Sequence, residues 1–159
     1  MDIPRDIREG EEFSLDELKK YLSENNISAE DLSLKQFPSG YSNLTYFLQS
    51  SSKQFVLRRP PFGAKSLQGG HDMFREYNVL KNLKSQFSKV PNVFLYCDNN
   101  EILGAPFYLM ERVEGYIIRP NLQQKDSPGS DIIQNVSKSF VSALVELHNV
   151  NIEKANLKD

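Results

Sequence analysis

Residues Phe37–Pro60, FPSGYSNLTYFLQSSSKQFVLRRP, decide how the rest of the chain is arranged. Apolar and aromatic residues alternate with smaller or polar ones through Asn43-Leu44-Thr45-Tyr46-Phe47-Leu48. The polar cluster Gln49 to Gln54 interrupts, and Phe55-Val56-Leu57 resumes the β-prone pattern. Two such runs so close together predict a hairpin. Its ends differ in chemistry: a turn with Gly40, Ser42 and Asn43 lies at one side and the cationic Arg58 at the other. A phosphate-bearing group would be met by both.

N-terminal to the hairpin, Ser14-Leu15-Asp16-Glu17 has capping-box spacing ahead of Leu18, Tyr21 and Leu22, which predicts a helix over Leu15 to Glu24 packed on the outside of the domain. A first strand is expected from Leu32 to Phe37. On the C-terminal side, Pro60-Pro61-Phe62-Gly63 must break the second hairpin strand. Met73, Tyr77, Leu80, Leu83 and Phe87 then recur at helical spacing, which predicts a helix over Asp72 to Phe87. Val93 to Cys97 and Phe107 to Met110 read as two more strands around the turn-prone Asp98-Asn99-Asn100.

Three strands, a helix and two further strands do not alternate as parallel βαβ units do. The order favours an α+β fold, a five-stranded antiparallel sheet with one packed helix. Glu111 to Gly115 is a polar connector, and Asn121 to Ser130 is loop-like. Ile132, Val136, Phe140, Leu144 and Leu147 predict a long helix over Asp131 to Asn149 that begins a second structural unit. The expected division is therefore a helical arm over 1–31, a sheet-bearing lobe over 32–115, and a linker with the first helix of a second lobe over 116–159.

Composition narrows the function classes. The 159 residues are 39% hydrophobic and 25% charged with a net charge of −2, which suits a globular fold and offers no electrostatic footprint for nucleic acid. The single cysteine, Cys97, sits in an apolar run and suits a reducing cytoplasm. Two distant histidines and that cysteine do not form a metal set, and no apolar run has membrane-spanning length.

The parts also follow the order of a protein-kinase small lobe: a glycine-bearing loop, a basic residue on the third strand, a glutamate on the next helix, and a strand leading to a hinge. Phe55-Val56-Leu57-Arg58 stands where the strand lysine motif would stand, and Glu76 lies in the following helix. FPSGYSNLTYFL, FVLRRPP, FREYNVL, LGAPFYLMERVEG and ALVELHNV, spread over Phe37 to Ile152, together resemble the N-terminal half of aminoglycoside phosphotransferase-like kinases. The subgroup most similar is that of the kinase-like domains found with acyl-CoA dehydrogenases.

This resemblance implies a kinase-like fold and phosphorylation of a small-molecule hydroxyl by ATP or GTP with Mg²⁺. It assigns Gly40, Ser42 and Asn43 to the loop over the nucleotide, Arg58 to phosphate contact, and Glu76 to orienting Arg58. Met110 would line the adenine pocket, and the backbones of Glu111 and Val113 would meet the purine edge. His148 would be structural. Arginine at position 58 replaces the usual lysine, giving a planar fork in place of a point charge.

The family's catalytic loop and magnesium aspartates are not found in the chain, and His71-Asp72 is no substitute because it opens the small-lobe helix. A chain carrying the nucleotide-facing lobe without catalytic residues of its own, inactive in isolation, is the expectation. The acceptor is not named by any residue. The competing function class is a non-catalytic kinase-fold module that binds partners or self-associates through an exposed last helix. Arg59, Lys65 and Lys81 read as solvated charge.

Overall fold

The computed structural model describes residues 3–38, 42–64, 71–115, 117 and 129–158. Its elements are α1 (Leu15–Glu24), β1 (Ser33–Gln36), β2 (Leu44–Gln49), β3 (Gln54–Arg59), α2 (Met73–Leu83), β4 (Val93–Cys97), α3 (Asn100–Leu103), β5 (Phe107–Glu111) and α4 (Ser130–His148). The five strands form one antiparallel sheet in the order β1-β2-β3-β5-β4. This is the expected α+β architecture.

Strand alternation gives the sheet two unlike faces. On one, Tyr46, Leu48, Phe55, Leu57, Phe107 and Leu109 are buried in a single core with Leu18 and Leu22 of α1. Helix α1 starts where Ser14 Oγ accepts from the Glu17 N–H at 3.2 Å, and its two leucines, four residues apart, fall on one stripe. The preceding segment is tied to the sheet edge as well. Arg5 and Gln36 exchange both backbone hydrogen bonds at 2.8 Å, and the Tyr46 hydroxyl donates to Glu11 O at 2.7 Å. The N-terminal helix is thus part of the lobe's core, where the sequence suggested an outer packing position.

The other face carries Val56, Arg58, Tyr108 and Met110, with Val56 opposite Met110 and Arg58 opposite Tyr108 in the β3–β5 register. Helix α2 covers the β4–β5 half of this face through Tyr77, which packs against Tyr96 and Tyr108. Asp72 caps it, its carboxylate accepting from the Arg75 N–H at 2.9 Å. The helix ends at Leu83, four residues before Phe87: the N–H groups of Gln86 and Phe87 both turn back to Leu83 O, and this still buries Phe87.

Helix α3 is a short insertion between β4 and β5, started by the Asn99 side chain and stopped by Gly104 at φ 75, a left-handed position that favours glycine. Four residues are too few for periodicity to reveal. The 19-residue helix α4 buries none of its side chains, and Phe140, Val141 and Val145 stay more than half exposed. A Lys89–Glu146 ion pair links it to the sheet-bearing part of the chain. Beyond it, Ala155 is buried and Asn82 Nδ2 donates to Asn156 O at 3.1 Å. Among the described residues, no helix is long and apolar enough to cross a membrane.

The hairpin's two arginines separate completely. Consecutive strand residues point to opposite faces, so Arg58 faces the α2 side while Arg59 enters the side occupied by the core and is 1% exposed. This corrects the expectation that Arg59 is solvated. Lys81 is exposed as expected, and Lys65 lies outside the described residues.

Candidate functional site

Glu76, one turn into α2, is the hub of a polar cluster on the α2 face of the sheet. Arg58 Nε lies 3.3 Å from Glu76 Oε2, and Arg58 Nη2 donates to Glu76 Oε1 at 3.5 Å. Asn43, just before β2, donates Nδ2 to Oε1 at 2.9 Å, and the Tyr108 hydroxyl donates to Oε2 at 2.9 Å. Both carboxylate oxygens therefore have a short neutral donor in addition to the longer arginine contact.

These distances decide which contact holds Glu76 in place. The side chains of Arg58 and Glu76 are each 31% exposed, and an ion pair that wet contributes roughly 0–1 kcal/mol. A hydrogen bond to a charged group contributes about 1.5–3 kcal/mol. Asn43 and Tyr108 fix the carboxylate, and Arg58 is the looser partner. Burial raises the ionisation of Tyr108 well above the ordinary tyrosine value, against the opposing field of Arg58, so the phenol remains a proton donor.

His71, immediately before the Asp72 cap, lies with Nδ1 2.8 Å from Asn43 Oδ1. An ionised carboxylate can only accept, so the Asn43 amide must turn its Nδ2 to Glu76 and its Oδ1 to His71. That orientation assigns a proton to His71 Nδ1. The end of the hairpin turn, the start of α2 and the middle of β5 are thereby joined through Glu76.

Arg58 Nε is the described buried side-chain polar atom without a hydrogen bond: it is close enough to Glu76 for an ion pair but badly aimed for a hydrogen bond. A cleft of about 410 Å³ opens beside it, walled by Arg58, Arg75, Glu76, Val79, Leu80 and Tyr108. A partly exposed guanidinium at such a wall suits an anionic ligand. Asp72 also lines the cleft, with its carboxylate engaged in capping α2.

Of the residues singled out in the sequence, Arg58, Glu76 and Asn43 come together, although Asn43 reaches the cluster through its side chain. Ser42 is exposed, and Gly40 lies outside the described residues. Met110 shares the face of Arg58 and stands opposite Val56. The Glu111 N–H is committed to Asn92 O at 2.8 Å, and its carboxylate accepts from Asn92 Nδ2 at 2.7 Å. Val113 is 68% exposed, and its N–H takes no backbone partner among the described residues.

Sequence reasoning missed Val56, Tyr108 and His71. Val56 was within reach, because it lies two residues from Arg58 and must share its face. Tyr108 required the β3–β5 register and His71 the folded contact. Beyond Val56, the guanidinium of Arg112 stacks 4.4 Å over the Phe47 ring and donates to Gln54 Oε1 at 3.0 Å, closing the far end of this face. Among the described residues, no three His, Cys, Asp or Glu side chains gather as a metal ion would require.

The chain is similar to known proteins over nearly its whole length. Acyl-CoA dehydrogenase family member 11 of Rattus norvegicus is 36% identical over 165 residues, covering 99% of this chain and 21% of that protein. Acyl-CoA dehydrogenase family member 10 of Mus musculus is 31% identical over 96% of this chain and 14% of its own length. A probable acyl-CoA dehydrogenase, IBR3, of Arabidopsis thaliana is 30% identical over 99% of this chain and 20% of its own length. The chain thus spans about a fifth or less of these curated relatives.

The fold matches the crystal structure of a candidate aminoglycoside phosphotransferase from Ralstonia eutropha JMP134, with a TM-score of 0.73 and 22% identity over 93% of this chain and 42% of that one. The sequence model of the phosphotransferase enzyme family matches residues 33–159, from the start of β1 through the Arg58–Glu76 pair to α4, and the chain belongs to that family.

Proposed function

We propose that this chain supplies the nucleotide-binding face of an ATP-dependent small-molecule phosphotransferase that transfers the γ-phosphoryl group to a hydroxyl acceptor. The observation that carries the reading is the Arg58 guanidinium, whose side chain is 31% exposed at the wall of the cleft and which Glu76 restrains only loosely. A phosphate oxygen would be met by the accessible end of that guanidinium. Val56 and Met110 form an apolar pair on the same face for the base, the Val113 N–H is available to a purine acceptor, and Glu111, its N–H committed to Asn92 O, would contribute its carbonyl. Gly40 and Ser42 complete the reading as parts of the covering loop.

The division of labour proposed is a sheet-bearing lobe with hinge over 32–115, the arm 1–31 packed upon it, and a second lobe beginning within 116–159. Magnesium would be held by groups other than Glu76 and Asp72, because Glu76 is already shared by Asn43, Tyr108 and Arg58 and Asp72 caps its helix. With both carboxylates that line the cleft among the described residues engaged, the 159-residue chain should bind nucleotide without turning it over. A reducing cytoplasm suits its buried free thiol, Cys97.

Isothermal titration of the chain with ATP and GTP, repeated with Arg58→Ala, tests this. Saturable binding that the substitution abolishes is expected, and absence of binding by the unsubstituted chain would overturn the assignment. A second reading, a non-catalytic module that self-associates, is favoured by the uncovered apolar side of α4. Sedimentation separates the two, since a dimer without nucleotide affinity supports the second alone.

A further inference from the structure

Arg59 is a buried cation for which the nucleotide reading has no use. It is 1% exposed, on the sheet face opposite Arg58. Its Nε donates to Pro60 O at 3.1 Å and its Nη1 to Leu103 O at 2.8 Å, and the Phe62 ring lies 3.6 Å from the guanidinium carbon. No carboxylate among the described residues forms an ion pair with it, and Nη2, which makes no hydrogen bond there, is the end of the guanidinium that keeps some accessible surface. Burial lowers its proton affinity, with Tyr46 and Glu11 opposing from a distance.

A cation removed from water without a matched anion is costly, and neutral carbonyls repay only part of that cost. The residue also lines a cleft of about 470 Å³ together with Pro60, Phe62, Gly63, Asn100 and Pro106. Its lining side chains are apolar or aromatic apart from Arg59 and Asn100, and backbone polar groups share the wall. That combination selects a small molecule with one anionic end and a flat or apolar body.

We propose that this cleft is a second ligand site, separate from the Arg58 face, in which Arg59 receives the carboxylate or phosphate group of a small molecule whose apolar body packs against Phe62 and the prolines. The free Nη2 donors point to a charge-assisted contact, and the two carbonyl bonds hold the fork still while it is made.

The test uses the unsubstituted chain with ¹⁵N-labelled arginine, titrated with phenyl phosphate, benzoate and, as a neutral control, phenol. Saturable shifts of the Arg59 Nε–H signal with either anion, but not with phenol, are expected, and they should persist in Arg58→Ala. No shift, an equal response to phenol, or loss of the response in Arg58→Ala would each overturn the proposal. Arg59→Lys assigns the signal by its disappearance. It should also weaken phenyl phosphate by about tenfold or more, as loss of the guanidinium fork implies. Phe62→Ala, a change at a ring 41% exposed, is the variant that leaves the buried strut intact, and it should weaken phenyl phosphate more than inorganic phosphate. Equal effects would remove the aromatic body from the proposal.

Discussion

Asn43 donates its side-chain amide to Glu76 Oε1 at 2.9 Å across 33 residues of sequence, a shorter contact than either atom of Arg58 makes with the same carboxylate. The residue that orients the ion pair is therefore an uncharged one just before β2. Replacing it by alanine leaves Glu76 free to swing toward Arg58 and neutralise it. Asn43→Ala should lower ATP affinity by about tenfold, the equivalent of one hydrogen bond to a charged group. Asn43→Asp should lower it further by setting two carboxylates against each other. Titration calorimetry on both variants checks this; unchanged affinity would mean that Glu76 holds its place unaided.

Tyr108→Phe tests the other oxygen. It preserves the ring that packs on Tyr77 and removes only the hydroxyl bonded to Glu76 Oε2. Stability should fall by about 1.5–3 kcal/mol at most, less whatever Arg58 recovers by moving closer. In combination with Asn43→Ala the losses should exceed their sum, because Glu76 then has no neutral donor left. Urea unfolding of the two single variants and the double variant measures the coupling.

How far the sequence discloses this arrangement depends on whether a feature is local. The capping box at Ser14 and Glu17 marks the start of α1, alternation marks β2, and β-prone apolar runs mark β3, β4 and β5, because these signals lie within one element. Helix α2 came out four residues too long because Phe87 continues the apolar spacing after the backbone has turned at Leu83. The Arg58–Glu76 pair was legible only through family resemblance. Asn43 was assigned to the right neighbourhood but not to Glu76, and Tyr108 and His71 depend on strand register and tertiary contact. The misreading of Arg59 was avoidable: adjacent arginines on a strand covered on both sides cannot both be solvated.

Alkaline pH offers a test independent of any ligand. Tyr46 is fully buried with its hydroxyl on Glu11 O, and burial pushes its ionisation up to about 12. In the unfolded chain it should ionise near the ordinary value of about 10. Between those values the folded state holds a proton that the unfolded state has released, so stability falls as pH rises through the window and is undiminished below it. The loss should approach roughly 2–3 kcal/mol by the top of the window. Tyr46→Phe should flatten that slope and lower stability by about 1 kcal/mol at pH 8 through the lost hydrogen bond. Urea midpoints at pH 8 and pH 11 decide the matter, and an unchanged slope in Tyr46→Phe would assign the effect to the other buried tyrosines.

Two apolar residues at helical positions should behave in opposite ways. Leu18 of α1 is 0% exposed and belongs to the cluster that includes Leu57 and Leu109, whereas Phe140 of α4 is 67% exposed. Leu18→Ala leaves a cavity beneath the sheet and should lower stability by about 2–5 kcal/mol. Phe140→Ala, despite removing the larger side chain, should stay within about 0.5 kcal/mol in the monomeric chain. A large loss for Phe140→Ala that grows with protein concentration would show that α4 is buried in a self-associated form, because a contact between copies contributes to stability by mass action and one within the chain does not. A small loss for Leu18→Ala would instead separate α1 from the lobe and return it to the position of an outer arm.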